Sequence, residues 1–290
     1  MASGDLPDRL IERRAADVGA GRARFAPGFS EFLHFGVKQA RASIFGALLL
    51  AGIVGTKLWY PATGFHRYDF LFVYAVAIQV VLIACRLESL REFGVVVVFH
   101  VLATGMELFK TSDAIGSWSY PGEAVIRIAG VPLFAGFMYS AVGSYMARVW
   151  RLFHFRFEHF PPLPVAGGLA LLAYVNFFTH HYAIDLRWFV LAAIGVFFFR
   201  TQVCFTPQDR ERKMNLLAGF CLVAFFLWIA ENLGTFAQAW VYPHQKNGWT
   251  PVGFGKFTSW FLLMQLSFVL IYVLRTVEKK IAPPGSARAG

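Results

Sequence analysis

The feature that most constrains this chain is a series of apolar stretches, each long enough to cross a lipid bilayer. A transmembrane helix needs about 20 mostly apolar residues, because the hydrocarbon core is about 30 Å thick. The stretches predict eight spans, near residues 43–59, 69–85, 93–109, 128–147, 164–179, 186–200, 214–232 and 256–275. The predicted fold class is therefore all-α, a polytopic membrane helix bundle of about eight transmembrane helices.

The composition supports lipid as the main solvent of this fold. Apolar residues make up 57% of the 290 residues and charged residues 15%, whereas soluble domains have about 45–50% and about 25%. A soluble domain of this size could not bury so much apolar surface. Membrane lipid is thus an expected partner.

The chain divides into one large transmembrane domain and two short tails. We predict a mobile cytoplasmic tail over residues 1–28, a single transmembrane domain over residues 29–280 and a cytoplasmic tail over residues 281–290. Apolar residues from Phe29 to Arg41 recur at helical spacing, which predicts a short interfacial helix before the first span.

The basic residues fall mostly on one side of the predicted spans. With eight spans, 20 of the 27 Lys and Arg residues lie on the side that holds both termini. Since basic residues concentrate in cytoplasmic loops, both termini are predicted to be cytoplasmic. Arg148, Arg151, His154 and Arg156 are expected to meet lipid phosphates there. No basic segment is large enough to form a nucleic-acid groove, so no nucleic-acid partner is expected.

Two acidic residues lie at span ends on the side of the membrane away from both termini. They are within or at the edge of the hydrocarbon. Glu107 ends the third span and Glu231 ends the seventh. A carboxylate at such a depth costs a few kcal/mol unless it is paired or faces a polar cavity, so each is a candidate site residue. His100 lies seven residues before Glu107 and shares its helix face.

These two acids belong to a repeated pattern of Glu, then Thr, then Trp-x-Tyr-Pro. The two copies consist of Glu107, Thr111, Trp118, Tyr120 and Pro121, and of Glu231, Thr235, Trp240, Tyr242 and Pro243. Four spans separate equivalent positions, so both copies have the same orientation. The pattern predicts a duplicated four-helix unit with parallel topology. Each Trp or Tyr also fits an interfacial aromatic belt, and each acid a snorkelling helix end.

Pseudo-twofold symmetry would bring both carboxylates to one cavity with aromatic walls. If they are close, both cannot ionise at low free-energy cost, so one becomes a proton donor near neutral pH. Glu107 and Glu231 are then catalytic candidates of a cofactor-free acid/base enzyme acting on an isoprenoid or other lipid. The substrate-binding candidates are His100, Thr111, Trp118, Tyr120, Asn232, Thr235, Trp240 and Tyr242. Aromatic rings there could also stabilise a developing carbocation.

Two other classes of function remain open for the same residues. The carboxylate pair could carry a proton in a proton-coupled transporter of a small or amphipathic solute. A structural or partner-binding membrane protein is the third possibility. A metal site is a weaker hypothesis, with His180, His181 and Asp185 as its weak candidates, because adjacent histidines point apart and no metal-binding spacing occurs.

From about Phe29 to Lys280, the chain resembles the YoaT-like family of bacterial multi-pass membrane proteins. The segments that carry this resemblance are residues 36–40, 107–110, 116–121, 130–134, 231–232 and 240–243. The resemblance implies a bacterial inner membrane location and leaves the activity open.

A fainter resemblance concerns heterodimeric-type lycopene cyclases and carotenoid 1,2-hydratases. Those proteins have an acid, then Trp-x-Tyr, then a helix start of the Gly-x-Pro-Leu kind. Glu107, Trp118, Tyr120 and the segment 130–133 follow that order. The Pro-x-Glu-Glu motif of the cyclases is absent, since Pro132 is followed by Leu133, Phe134 and Ala135.

Overall fold

A computed structural model describes residues 27–61 and 64–281. The predicted tails, up to residue 26 and after residue 281, lie outside the described residues. Within them the chain forms eight α-helices: α1 Pro27–Leu58, α2 Arg67–Ala84, α3 Leu90–Lys110, α4 Phe134–Phe153, α5 Leu163–Thr179, α6 Arg187–Phe198, α7 Leu216–Phe236 and α8 Gly255–Ile281. Each predicted span overlaps one helix, and the predicted helical bundle is confirmed.

The helices differ in their ability to cross a bilayer. Five of them, α1, α2, α3, α7 and α8, are long and apolar enough to do so, which marks the protein as membrane-associated. Helices α5 and α6 are apolar but shorter, with 17 and 12 residues. At about 1.5 Å per residue, α6 extends only about 18 Å.

Two boundaries differ from the sequence prediction. Helix α1 is continuous over 32 residues, so the interfacial helix predicted over residues 29–41 is the first part of α1. The fourth helix begins at Phe134 instead of residue 128, because β1 (Arg127–Ile128) and β2 (Val131–Pro132) form a tight hairpin before it. Ala129 has a φ of 51° there, and a left-handed residue ends a helix.

A small antiparallel sheet lies at the ends of α4 and α6 and at the start of α7. It consists of β3 (Arg156–Glu158), β4 (Gln202–Phe205) and β5 (Arg212–Asn215), in that order. Hydrogen bonds from Lys213 and Arg156 lower the pKa of Glu158 to about 2. Arg156 therefore has protein partners, Glu158 and Glu211, and because 53% of its side chain is exposed, the lipid contact expected for it stays a prediction.

Small residues allow α3 and α4 to approach closely. Helix α3 packs on α4 where a Cβ on Gly136 would collide with His100, and a Cβ on Gly143 would collide with Phe99. Such contacts between small residues and larger neighbours are typical of helix packing in lipid. Helix α7 packs on α8, the next helix along the chain, as α3 packs on α4. Helix α1 packs on α4, and α5 packs on α8.

A buried ion pair joins α4 to the turn between α2 and α3. Arg148 donates from Nη2 to Glu88 Oε2 at 2.9 Å, and the side chains are 1% and 0% exposed. Ser144 Oγ donates to Glu88 Oε1 at 3.1 Å. Nearby, Arg151 pairs with Glu92, which also closes the capping box of α3. The lipid contact expected for Arg148 is wrong, because its side chain is buried against Glu88. The contact expected for Arg151 stays a prediction, since 46% of that side chain is exposed.

Replacement of Arg148 by Met should destabilise the fold by about 3–5 kcal/mol, because Glu88 would remain buried without a cation. The double variant Glu88→Leu/Arg148→Met should recover most of that loss. Unfolding in mild detergent titrated with SDS measures both. Arg91→Gln, an exposed change at the start of α3, is the control and should be near neutral. Equal losses in the single and double variants would contradict the ion-pair account.

Candidate carboxylate site

Glu107 lies in the last turn of α3, and the chain that follows returns over it. Its Oε2 atom accepts hydrogen bonds from Trp118 Nε1 at 2.8 Å and from the Tyr120 hydroxyl at 2.7 Å. The carboxylate is buried, with 1% of the residue exposed. Both donors use one oxygen, so the second oxygen can carry a proton without breaking either bond.

Glu231, near the end of α7, has the same arrangement. Its Oε1 atom accepts hydrogen bonds from Trp240 Nε1 at 3.1 Å and from the Tyr242 hydroxyl. The residue is 5% exposed. Each Trp-x-Tyr segment thus supplies two donors to the acid that precedes it, which offsets the cost of burying the carboxylate.

The two Trp-x-Tyr segments also pair with each other. Ser119 N donates to Val241 O at 3.0 Å, and Val241 N donates to Ser119 O at 2.9 Å. The rings of Trp118 and Tyr242 meet edge to face, with centroids 6.2 Å apart. Both acids are therefore at one site, within electrostatic range of each other.

The two tyrosines of these segments are buried hydrogen-bond donors. Burial, and then the neighbouring carboxylates, raises the pKa of Tyr120 and of Tyr242 well above the ordinary value. Both hydroxyls consequently stay protonated at neutral pH and keep donating to Glu107 and Glu231.

A cavity of about 860 Å³ begins at the carboxylates and continues between α1 and α4 on one side and α7 and α8 on the other. Its wall along α7 extends from Glu231 to Leu216, roughly 22 Å at about 1.5 Å per residue. Away from the carboxylates the wall is mainly Leu, Phe, Val and Met. The volume is in the range of about 300–1,000 Å³ that is usual for small-molecule sites.

Two residues of the site escaped the sequence prediction. Tyr139 on α4 lies within electrostatic range of both carboxylates. Lys256, at the start of α8, places its ammonium 4.4 Å from the Tyr242 ring centroid and 5.1 Å from that of Trp118. Both residues line the cavity. Lys256 carried one sequence signal, its position as a cation at the start of the eighth predicted span.

The structure brings together six of the ten site candidates. Glu107, Trp118, Tyr120, Glu231, Trp240 and Tyr242 all line the cavity. The other four, His100, Thr111, Asn232 and Thr235, are not part of its wall.

These four residues have structural partners instead. His100 packs on the Phe137 ring with centroids 4.4 Å apart. Thr111 Oγ1 donates to the Glu107 carbonyl, Asn232 Oδ1 accepts from Val252 N, and Thr235 Oγ1 accepts from Trp249 Nε1. Thr235 and Asn232 therefore fix the loop that carries the second Trp-x-Tyr segment.

The weak metal candidates already have other partners. His181 Nε2 lies 2.7 Å from Lys110 Nζ, His180 Nδ1 bonds the Asn176 carbonyl, and Asp185 bonds Asn176 and Arg187. Within residues 27–61 and 64–281, no group of three or more His, Cys, Asp or Glu side chains is placed to hold a metal ion.

These features define a helical, membrane-associated protein with two buried carboxylates at the polar end of an apolar cavity. Residues 31–268 match the family described as protein of unknown function (DUF817), and the chain belongs to this family. The uncharacterized protein YoaT of Bacillus subtilis (strain 168) is 38% identical over 250 residues, which cover 86% of this chain and 94% of that protein. The YoaT-like resemblance is thereby confirmed.

No solved structure matches the chain. The fainter resemblance to lycopene cyclases and carotenoid hydratases has no support from these matches and stays a prediction.

Substitution of Gly234 by Ala should disturb the second half of the site, because the new Cβ would collide with the buried Trp240 ring. We expect a loss of about 1–3 kcal/mol, the usual penalty of overpacking, and a shift in tryptophan fluorescence. The matched control is Gly105→Ala on α3, where a Cβ meets nothing within 4 Å. A Gly234→Ala protein as stable as this control would contradict the described packing of Trp240.

Proposed function

We propose that this protein is a multi-pass membrane protein that holds a long apolar or amphipathic molecule in its cavity and acts on it by proton transfer at Glu107 and Glu231. The substrate class is an isoprenoid or another lipid. The observation that carries the proposal is the position of two buried, mutually interacting carboxylates at one end of an extended apolar cavity.

The pair supplies both halves of acid/base chemistry. Repulsion between two nearby carboxylates in a low dielectric favours a state in which they share one proton. The protonated member donates that proton to the substrate and the ionised member accepts one from it. General acid/base groups of this kind contribute about 10²–10⁴-fold to a rate.

The Trp and Tyr donors support this role. They hold one oxygen of each carboxylate and leave the other for a proton. The ammonium of Lys256 covers the faces of Trp118 and Tyr242. Proton transfer therefore fits the site better than stabilisation of a carbocation by these two rings.

A duplicated four-helix unit is part of the proposal. It would relate α1–α4 to α5–α8 by a pseudo-twofold axis along the membrane normal, and Glu107 to Glu231. The reciprocal Ser119–Val241 bonds and the two Glu···Trp/Tyr sets support it, because a twofold axis between the segments produces such mutual contacts.

A proton-coupled carrier is the second candidate. The cavity that favours it is lined from the carboxylates to Phe35 on α1 and Met214 on β5, close to the opposite ends of the helices. A solute could thus pass along the bundle while the pair exchanges a proton.

The two functions separate in cells that express the wild type, Glu107→Gln, Glu231→Gln or an empty vector. We expect a lipid or pigment species whose amount depends on the wild type and falls at least about 10²-fold in either variant. Mass spectrometry of extracts measures it. Glu123→Gln, which changes an exposed acid of the same loop region, is the matched control and should behave as wild type.

Identical extracts from wild type and empty vector would count against the enzyme. Proton-linked uptake that is present in the wild type and lost when both Glu107→Gln and Glu231→Gln are introduced into one chain would then identify a carrier.

We also propose that the protein lies in the bacterial inner membrane as one transmembrane domain with both termini in the cytoplasm. In a background with Cys85, Cys204 and Cys221 replaced by Ala, an impermeant maleimide should label Asp113→Cys in intact cells. It should label Asp209→Cys only after permeabilisation. Both positions are exposed. Labelling of Asp209→Cys from outside would reverse the orientation.

A further inference from the structure

Basic side chains gather around the cavity end that holds the carboxylates. Lys256 and Arg187 line the cavity, and Lys110 lies within electrostatic range of both. These residues come from the end of α3 and the starts of α6 and α8. Three cations from separate elements thus meet beside the polar end of an apolar cavity.

The two lysines have unused hydrogen-bond donors. Lys110 is 3% exposed; its ammonium contacts His181 Nε2 and lies 4.1 Å from the Phe177 ring centroid. The ammonium of Lys256 lies over two aromatic rings. Among the described ion pairs, neither lysine has a carboxylate within 4 Å. An ammonium has three donors, so most of theirs are free for a ligand.

The nearby acids are occupied elsewhere. Asp185 contacts Arg187 at 3.5 Å and accepts from Asn176 Nδ2 and Arg187 N. Glu107 and Glu231 accept from the Trp and Tyr donors described above. Burial lowers the pKa of His180 and of His181, so both imidazoles are neutral at neutral pH and add no charge.

The charge count of this cluster rests on the proposed function. If Glu107 and Glu231 share one proton, the pair carries one negative charge and Asp185 another. Lys256 and Arg187 balance these two charges. Lys110 is buried, and when it holds a proton it adds one positive charge in a poorly solvated region, where an anion would be strongly attracted.

We propose that the cavity binds an amphiphile with an anionic head group, a phosphate or a carboxylate, which Lys110, Lys256 and Arg187 hold. The apolar chain extends between α1 and α7. A charged head with several acceptor oxygens uses the free donors of both ammonium groups. This placement puts the first carbons next to the head group beside Glu107 and Glu231.

Binding to the purified full-length protein in dodecyl maltoside tests the proposal. The probes are dodecyl phosphate, dodecanoate and dodecyltrimethylammonium, and the readouts are native mass spectrometry and tryptophan fluorescence. We expect both anionic probes to bind at least about tenfold more tightly than the cationic one. The comparison of phosphate with carboxylate identifies the preferred head group.

Lys110→Gln and Lys256→Gln should each weaken anionic binding by about ten- to a hundredfold, as expected for a lost hydrogen bond to a charged group. Lys110→Arg should retain much of the affinity. Lys246→Gln, an exposed lysine of the loop before α8, is the matched control and should change nothing. Circular dichroism confirms that each variant is folded.

Tighter binding of the trimethylammonium probe would overturn the proposal, since it would mean that the aromatic rings and carboxylates select a cation. Equal affinities for all probes, or an equal loss in Lys246→Gln, would overturn it as well. Glu107→Gln/Glu231→Gln should bind the anionic probes at least as tightly as wild type. If the wild type binds the anionic probes but changes no lipid in cells, the proposed chemistry fails while the binding site stands. The two failures are therefore distinguishable.

Discussion

The site depends on the need of a buried carboxylate for hydrogen-bond donors. Glu107 and Glu231 each lie near the end of an apolar helix, where an isolated charge would be costly. In each case the following loop folds back and supplies an indole N–H and a phenol O–H to the same oxygen. Because both loops return over their own helix ends, they meet each other, and their rings close the polar end of the cavity. The need of two buried carboxylates for hydrogen-bond donors thus determines how both loops fold at this end of the bundle.

The sequence predicts the helices and the partners of the two acids, because both are local patterns. Each of the eight predicted apolar stretches overlaps one helix of the structure. The repeated Glu···Trp-x-Tyr pattern contains the residues that donate hydrogen bonds to each carboxylate. The fourth helix starts later than predicted, because the tight hairpin around Ala129 interrupts an apolar stretch that hydropathy reads as continuous.

The residues that the sequence did not predict depend on contacts between distant parts of the chain. Tyr139 is one tyrosine in an apolar helix, and only the packing of α4 against α3 brings it to Glu107. Arg148 meets Glu88, which lies 60 positions earlier, so its counter-ion has no local signal. Lipid was the expected partner because it is the default for an arginine near a helix end. A buried carboxylate inside the bundle competes more effectively, since it is already desolvated and held by Ser144.

The bond pattern between Ser119 and Val241 has a consequence for sequence divergence. Both contacts use only peptide N–H and C=O groups, so the side chains at these two positions take no part in joining the loops. One is a small polar residue and the other is branched and apolar, and the backbone pairing is the same for both. Substitutions at these positions can thus accumulate independently in the two loops while the loops stay in register. The residues flanking them have no such freedom, because their side chains serve the acids.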